Sequence, residues 1–288
     1  MNIRQGLKNY GYKPPVIEEK NYVLGGILSA PYEVLQEDGN WKPYLPETEE
    51  QRSESYETNA CTIYGTLNAI ETLMFRKFGV KKNYCERFTA IMSGLQPDGN
   101  DPHKVAESIR KNGVIEDFNL PFSTNIRSFE EYMTPNPMSK YYLDLGKKWL
   151  EEYEFKHEYV FNSFDSLKAK QEKMIKALKS SPLGVSVSAW QKNDEGLYYK
   201  FGMDNHWTLL IVNYVEGKYW EVFDSYDGFI KKLVWDYDFG ICKRYHIEKR
   251  PTQEEKNMYY SMLELMKQLL NIMSELYKIT LGKIWLTK

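Results

Sequence analysis

The sequence predicts an α+β fold of two lobes, and three observations carry that prediction. The chain is 288 residues long with 42% hydrophobic content, enough for a substantial core. Its apolar residues recur every three or four positions through the first half, then alternate from the stretch LGVSVSAW onward. The third observation is the run NACTIYGTLNAIETL, an amphipathic helix that begins on a cysteine. Helices gathered in one half and antiparallel strands in the other indicate two lobes with a cleft between them.

Taken in order, residues 1–50 are rich in Pro, Gly and Glu with short strand-like runs such as NYVLGGILSA. They read as an N-terminal arm or small extension laid over the main body, which spans residues 51–250. After Cys61 the residues Ile63, Leu67, Ile70 and Met74 fall at steps of four, three and four, one helix face. A second helix opens at NDPHKVAESIRKNG, where Asp101 caps, Pro102 fits the first turn and Gly113 suits the exit. Residues 139–153 and 166–179 read as further helices. Then come the strands LGVSVSAW, HWTLLIVNYV and KYWEVFDSY, the last two joined at the turn signal Glu216-Gly217, followed by FIKKLVW and CKRYHI.

Residues 251–288 differ in character. TQEE is a capping box, and Met258, Met262, Leu265, Leu269, Ile272, Leu276 and Ile279 follow at alternating steps of four and three. Met266, Leu270 and Met273 widen that stripe beyond a two-stranded seam. Such a C-terminal amphipathic helix docks on its own domain, self-associates, or lies at a membrane surface.

Composition removes several classes of function. Lys and Arg number 38 against 40 Asp and Glu, a balance unsuited to nucleic acid as a partner. Cys61, Cys85 and Cys242 form no CxxC pair and no cluster with histidine at ligand spacing, so structural zinc is not expected, and chemistry carried by a thiol would require neither a metal nor an organic cofactor. No run of about 18 apolar residues occurs, so no membrane span is expected. The N-terminus lacks the apolar segment of a signal peptide, which points to the cytoplasm. The abundance of Lys, Asn, Tyr and Ile fits an AT-rich bacterial or phage genome.

The residues with chemistry to offer are a cysteine, a histidine and an aspartate. Cys61 sits at the start of a helix, where the dipole favours a thiolate. His206 begins the strand HWTLLIVNYV, and Asp224 ends the strand that returns from the following turn. Hairpin symmetry sets the two within two or three residues of direct opposition, so the carboxylate can accept the second imidazole N–H. The other histidines read otherwise: His103 as an exposed neutral side chain in a first helical turn, His157 as solvated, and His246 as structural. Each of these residues alone has a bland reading, a buried thiol, a strand-end histidine, a turn aspartate. Their joint order is what points to a nucleophile, a base and an orienting carboxylate.

At these residues the sequence resembles the papain-like cysteine peptidases. NACTIYGTLNAIE resembles the block whose nucleophile heads the central helix of the left lobe. SSPLGVSVSAW is similar to the strand before the family's histidine, and NHWTLLIVNYVEGKYWEVFDSYDG resembles its histidine strand, hairpin and Asn-Ser-Trp-Gly block. His206 follows Cys61 by 145 residues, inside the family's spacing of roughly 130–150. The likeness covers about residues 50–247. It implies a two-lobed catalytic domain, a protein or peptide substrate, and hydrolysis through Cys61, His206 and Asp224. Departures accompany it: Asn59-Ala60 replaces Gly-Ser, Asp224 replaces the orienting Asn, and Tyr226 stands for the Trp that shields it. Ser55 occupies the place of the oxyanion glutamine, leaving Gln51 as the preferred donor and Asn59 as its competitor. The same triad order also suits a transglutaminase-like acyl transferase or amidase, or an inactive peptide-binding module.

Overall fold

The computed structural model describes residues 8–16, 30–213 and 218–286. Most of NYVLGGILSA and the Glu216-Gly217 turn signal lie outside the described residues. The chain divides into two units, Met1–Glu248 and Lys249–Lys288. In the first, helices α1 (Cys61–Phe78), α2 (Glu86–Ser93), α3 (Pro102–Asn112), α4 (Phe129–Tyr132) and α5 (Lys140–Glu152) precede strand β1 (Tyr153–Tyr159). Helix α6 (Leu167–Leu178) leads into β2 (Leu183–Val187), β3 (His206–Asn213), β4 (Tyr219–Phe223), β5 (Ile230–Val234) and β6 (Cys242–Lys249). The strands form one sheet in the order β1-β6-β2-β3-β4-β5. A mixed architecture with helices first and an antiparallel sheet second is therefore what the chain adopts.

Local chemistry accounts for the helix ends. Asp101 accepts the His103 N–H at the start of α3, and Gly79 and Gly94 take the left-handed conformation that ends α1 and α2. α2 was hidden in the sequence. It spans one short run, ERFTAIMS, and is capped by the sulfur of Cys85 rather than by Ser, Thr, Asp or Asn. Strand β1 was hidden too, because its outward charges Glu154 and Lys156 disguise the inward Phe155 and His157.

The helix that carries Cys61 is fixed against the sheet by one tryptophan. Trp207 is fully buried, and a Cβ on Gly65 of α1 would come within 2.9 Å of its ring. A glycine inside a helix costs about 1 kcal/mol relative to alanine. Here it brings the α1 backbone close to β3, the strand that His206 opens.

β1 overturns the expectations for two histidines. His157 is buried, with Nε2 3.0 Å from Glu107 Oε1. His103 is half-buried, stacked on Tyr159 and edge-on to His157. Burial, and then the Lys243 ammonium, hold His157 neutral by pushing its pKa down to about 3. Because the folded value lies below the unfolded one, the unfolded chain binds the proton first as pH falls. Stability is therefore expected to decline as pH falls from 6.5 toward 3, by at most about 1.4 kcal/mol per pH unit from this group. Urea unfolding across that range checks it, and His157→Gln should flatten the slope between pH 6.5 and 5.

The second unit is helix α7 (Gln253–Leu286). Its capping box forms as the sequence indicates: Glu255 N–H donates to Thr252 Oγ1, and Thr252 N–H donates to Glu255 Oε2. Glu264 pairs with Lys267 and Glu275 with Lys278 along the polar side. Within this unit no other element covers the apolar stripe from Met258 to Ile279, whose side chains are exposed. Among the described residues no helix is long and apolar enough to cross a membrane.

Candidate active site

Cys61 is the first residue of α1 and is fully buried. It clusters with Trp207 and with Tyr12 of the N-terminal arm, Ile241 packing beside them. Sequence reasoning expects a thiol acidified by the helix start; here burial outweighs that field and pushes the Cys61 thiol up. Backbone N–H groups near Thr62 and Trp207 pull the other way, and the Asp224 carboxylate adds to the upward push.

His206 opens β3 with no exposed surface. Its Nε2 lies 2.5 Å from Asp224 Oδ1, while Nδ1 has no hydrogen-bond partner among the described residues. Register explains the meeting. Leu209 pairs with Phe223, which sets Asp224 across from Thr208, two positions along the same face from His206. The other carboxylate oxygen forms an ion pair with Lys231 Nζ at 2.8 Å. Burial alone would raise the Asp224 pKa; the His206 imidazole and the Lys231 ammonium overcome that and hold it below the usual carboxylate range.

Lys231 was not singled out from the sequence. It is buried on β5, where its ammonium also donates to the carbonyls of Tyr226, Asp227 and Gly228. The available signal was the pair of adjacent lysines in FIKKLVW. An alternating strand cannot point both to the same side.

Gln51 is buried, and its amide Nε2 lies 2.7 Å from the Tyr226 hydroxyl, 3.0 Å from Glu57 Oε1 and 3.2 Å from the Tyr10 carbonyl. Its Oε1 accepts from Ser225 Oγ, which ties the loop before α1 to the segment after β4. The Asn59 amide instead donates to the Pro97 carbonyl at 2.8 Å, across to the loop before α3. Tyr226 lies beside His206, ring centroids 5.6 Å apart, and its hydroxyl donates to Glu57 Oε2.

The arm crosses this site. Tyr10 N–H donates to the Asn205 carbonyl, and the Asn205 side chain donates to the Lys8 carbonyl. The Tyr10 ring meets His206 and Tyr226 edge-on. Further along, Asn100 N–H donates to the Gly11 carbonyl and Lys13 N–H to the Asn100 carbonyl, a parallel bridge. Residues 8–13 thus lie over Cys61 and His206.

No family model matches the sequence, and no curated protein does. Solved structures do match in fold. Digestive procathepsin L 3 from the larval midgut of Tenebrio molitor superposes with a TM-score of 0.53 at 14% identity, covering 72% of this chain and 68% of that one. The Amb a 11 cysteine protease, a ragweed pollen allergen, matches in its proform in two structures, both at 12% identity. TM-scores are 0.51 and 0.50, over 76% and 72% of this chain and 68% and 65% of the other. The fold is that of the papain-like cysteine proteases.

Proposed function

We propose that the chain is a thiol-dependent peptidase that hydrolyses peptide bonds through Cys61, His206 and Asp224. The observation that carries this reading is the pairing of His206 Nε2 with a buried, ionised Asp224, which leaves Nδ1 as the free basic nitrogen. In the proposed cycle Nδ1 takes the Cys61 proton and the thiolate attacks the scissile carbonyl carbon. The carbonyl oxygen gains the charge, and the Cys61 backbone N–H and the Gln51 amide donate to it. As the C–N bond breaks, His206 returns the proton to the leaving amine. Water then adds to the thioester, with His206 as base, and releases the acid. Asp224 keeps the imidazole oriented and stabilises its cation, and Lys231 keeps that carboxylate ionised.

In the described arrangement the site is closed. Residues 8–13 cover the thiol, and the Tyr10 carbonyl occupies the Gln51 amide. Activity therefore requires the arm to leave. Tyr12→Ala in the full chain, which removes the arm's buried anchor, is expected to expose Cys61 to iodoacetamide and to allow cleavage of an unfolded protein such as reduced casein. Adding Cys61→Ser should abolish that cleavage. An opened variant whose Cys61 alkylates readily yet releases no new peptides by mass spectrometry would overturn the peptidase reading.

A further inference from the structure

The arm shows what the cleft holds. Gly11 has φ +102°, and a Cβ there would stand 1.8 Å from the Asn59 carbonyl oxygen. Asn59 is itself the described non-glycine residue with positive φ, at 53°, which turns that carbonyl toward the arm. Its position is held by two bonds, the amide to the Pro97 carbonyl and the backbone N–H to Glu57 Oε1 at 3.2 Å. A Cβ on Gly99 would stand 2.0 Å from the Gly11 carbonyl oxygen. The Asn59 backbone leaves no room for a side chain at Gly11, and the bare Gly99 lets the arm's backbone approach closely. A contact of 1.8 Å with backbone cannot be relieved by rotating a side chain.

The neighbours of Gly11 are held differently. The Tyr12 ring is 4% exposed and stacks on Trp207, interplanar angle 8°, beside Cys61 and Ile241. Ser186, near the Tyr12 hydroxyl, donates its Oγ to Asp204 Oδ2 and accepts from Ile241 N–H. The phenol thus meets a hydroxyl already fixed in place, a site shaped for an aromatic ring with a polar tip. The Tyr10 ring is half-buried against His206 and Tyr226.

We propose that this cleft selects polypeptide segments in which a glycine of positive φ is flanked by aromatic residues, with the Asn59 carbonyl excluding any side chain at the centre. The arm is its ligand in cis. The substrates or binding partners that displace the arm carry the same pattern. The proposal rests on reading the groove as a peptide cleft, but it needs no bond cleavage, so an inert chain would still obey it.

The test uses full-length Gly11→Ala, whose own arm cannot seat, and reads Cys61 alkylation by iodoacetamide with site-resolved mass spectrometry. Alkylation should be at least about tenfold faster than in the wild type, because opening no longer limits access. The heptapeptide Lys-Asn-Tyr-Gly-Tyr-Lys-Pro added in trans should restore slow labelling. The same peptide with alanine for the glycine, or with alanine for the second tyrosine, should not. Tyr12→Ala provides a second opened chain in case Gly11→Ala does not fold. Wild-type labelling rates in Gly11→Ala, or equal protection by the alanine-centred peptide, would overturn the proposal. So would an opened chain that the heptapeptide fails to protect.

Discussion

In the opened Tyr12→Ala background, Cys61→Ser and His206→Ala are each expected to lower kcat/KM for peptide hydrolysis by about 10⁴-fold or more. Residues that act as one unit lose most of their joint effect when any member is removed, so the double variant should be no worse than either single one. Asp224 allows a finer separation. Asp224→Asn keeps an acceptor for His206 Nε2 but removes the charge that Lys231 also contacts at 2.8 Å. That change is expected to cost about 10–100-fold in kcat/KM, since the imidazolium loses a counter-charge worth about one to two pKa units. Both variants should also unfold more easily, Asp224→Ala by about 3–5 kcal/mol, because Lys231 is left as a buried charge without its carboxylate. Steady-state kinetics with thermal melts of each variant separate the two effects. Unchanged hydrolysis in Cys61→Ser would remove the nucleophile from the scheme entirely.

Much of the architecture was legible because it depends on local periodicity and turns. The helix after Cys61 and the hairpin joining His206 to Asp224 both follow from spacing that a short window reveals. The mutual approach of His206 and Asp224 was legible for the same reason: strand register is a property of neighbouring sequence. The covering of Cys61 was not. Tyr12 lies far from Cys61 in sequence, and nothing in NYGYK marks it as a strap until Asn100 and Asn205 are found bonding its backbone. The thiol's raised pKa has the same origin, since burial by a distant segment outweighs a helix start that the sequence does display. Adjacent basic residues in strands are a further feature that spacing does not resolve. Lys231 in FIKKLVW and both Lys243 and Arg244 in CKRYHI are buried, although their charge suggests an outward face. Arg244 pairs with Glu158 at 2.6 Å and donates to the carbonyls of Ala30 and Pro31, so its burial is compensated.

Lys243 lacks such compensation, and replacing it should stabilise the protein. Its ammonium is fully buried with no hydrogen-bond partner among the described residues, and it lies 3.9 Å from the centre of the Tyr159 ring. Burial pushes its pKa down to about 7, against the pull of Asp101, Glu107, Cys242 and Glu158. The folded value lies below the unfolded one, so the lysine opposes folding. Below pH 7 both states carry the charge and the penalty is complete. Between pH 7 and 10.5 the unfolded chain holds a proton the folded chain has released, so stability climbs with pH until the penalty vanishes. Lys243→Met fills the same volume without a charge. It is expected to raise unfolding stability by about 1–3 kcal/mol at pH 6–7, after allowing for the lost contact with Tyr159. The gain should shrink steadily toward pH 10.5. The same change should relieve His157, whose depressed pKa owes its second-largest push to the Lys243 ammonium, and so soften the decline in stability below pH 6.5. Denaturant unfolding at pH 6, 8 and 10 reads both effects. A gain that does not vary with pH would show that the methionine acts through packing, and a loss would show that the buried ammonium holds this corner of the sheet together.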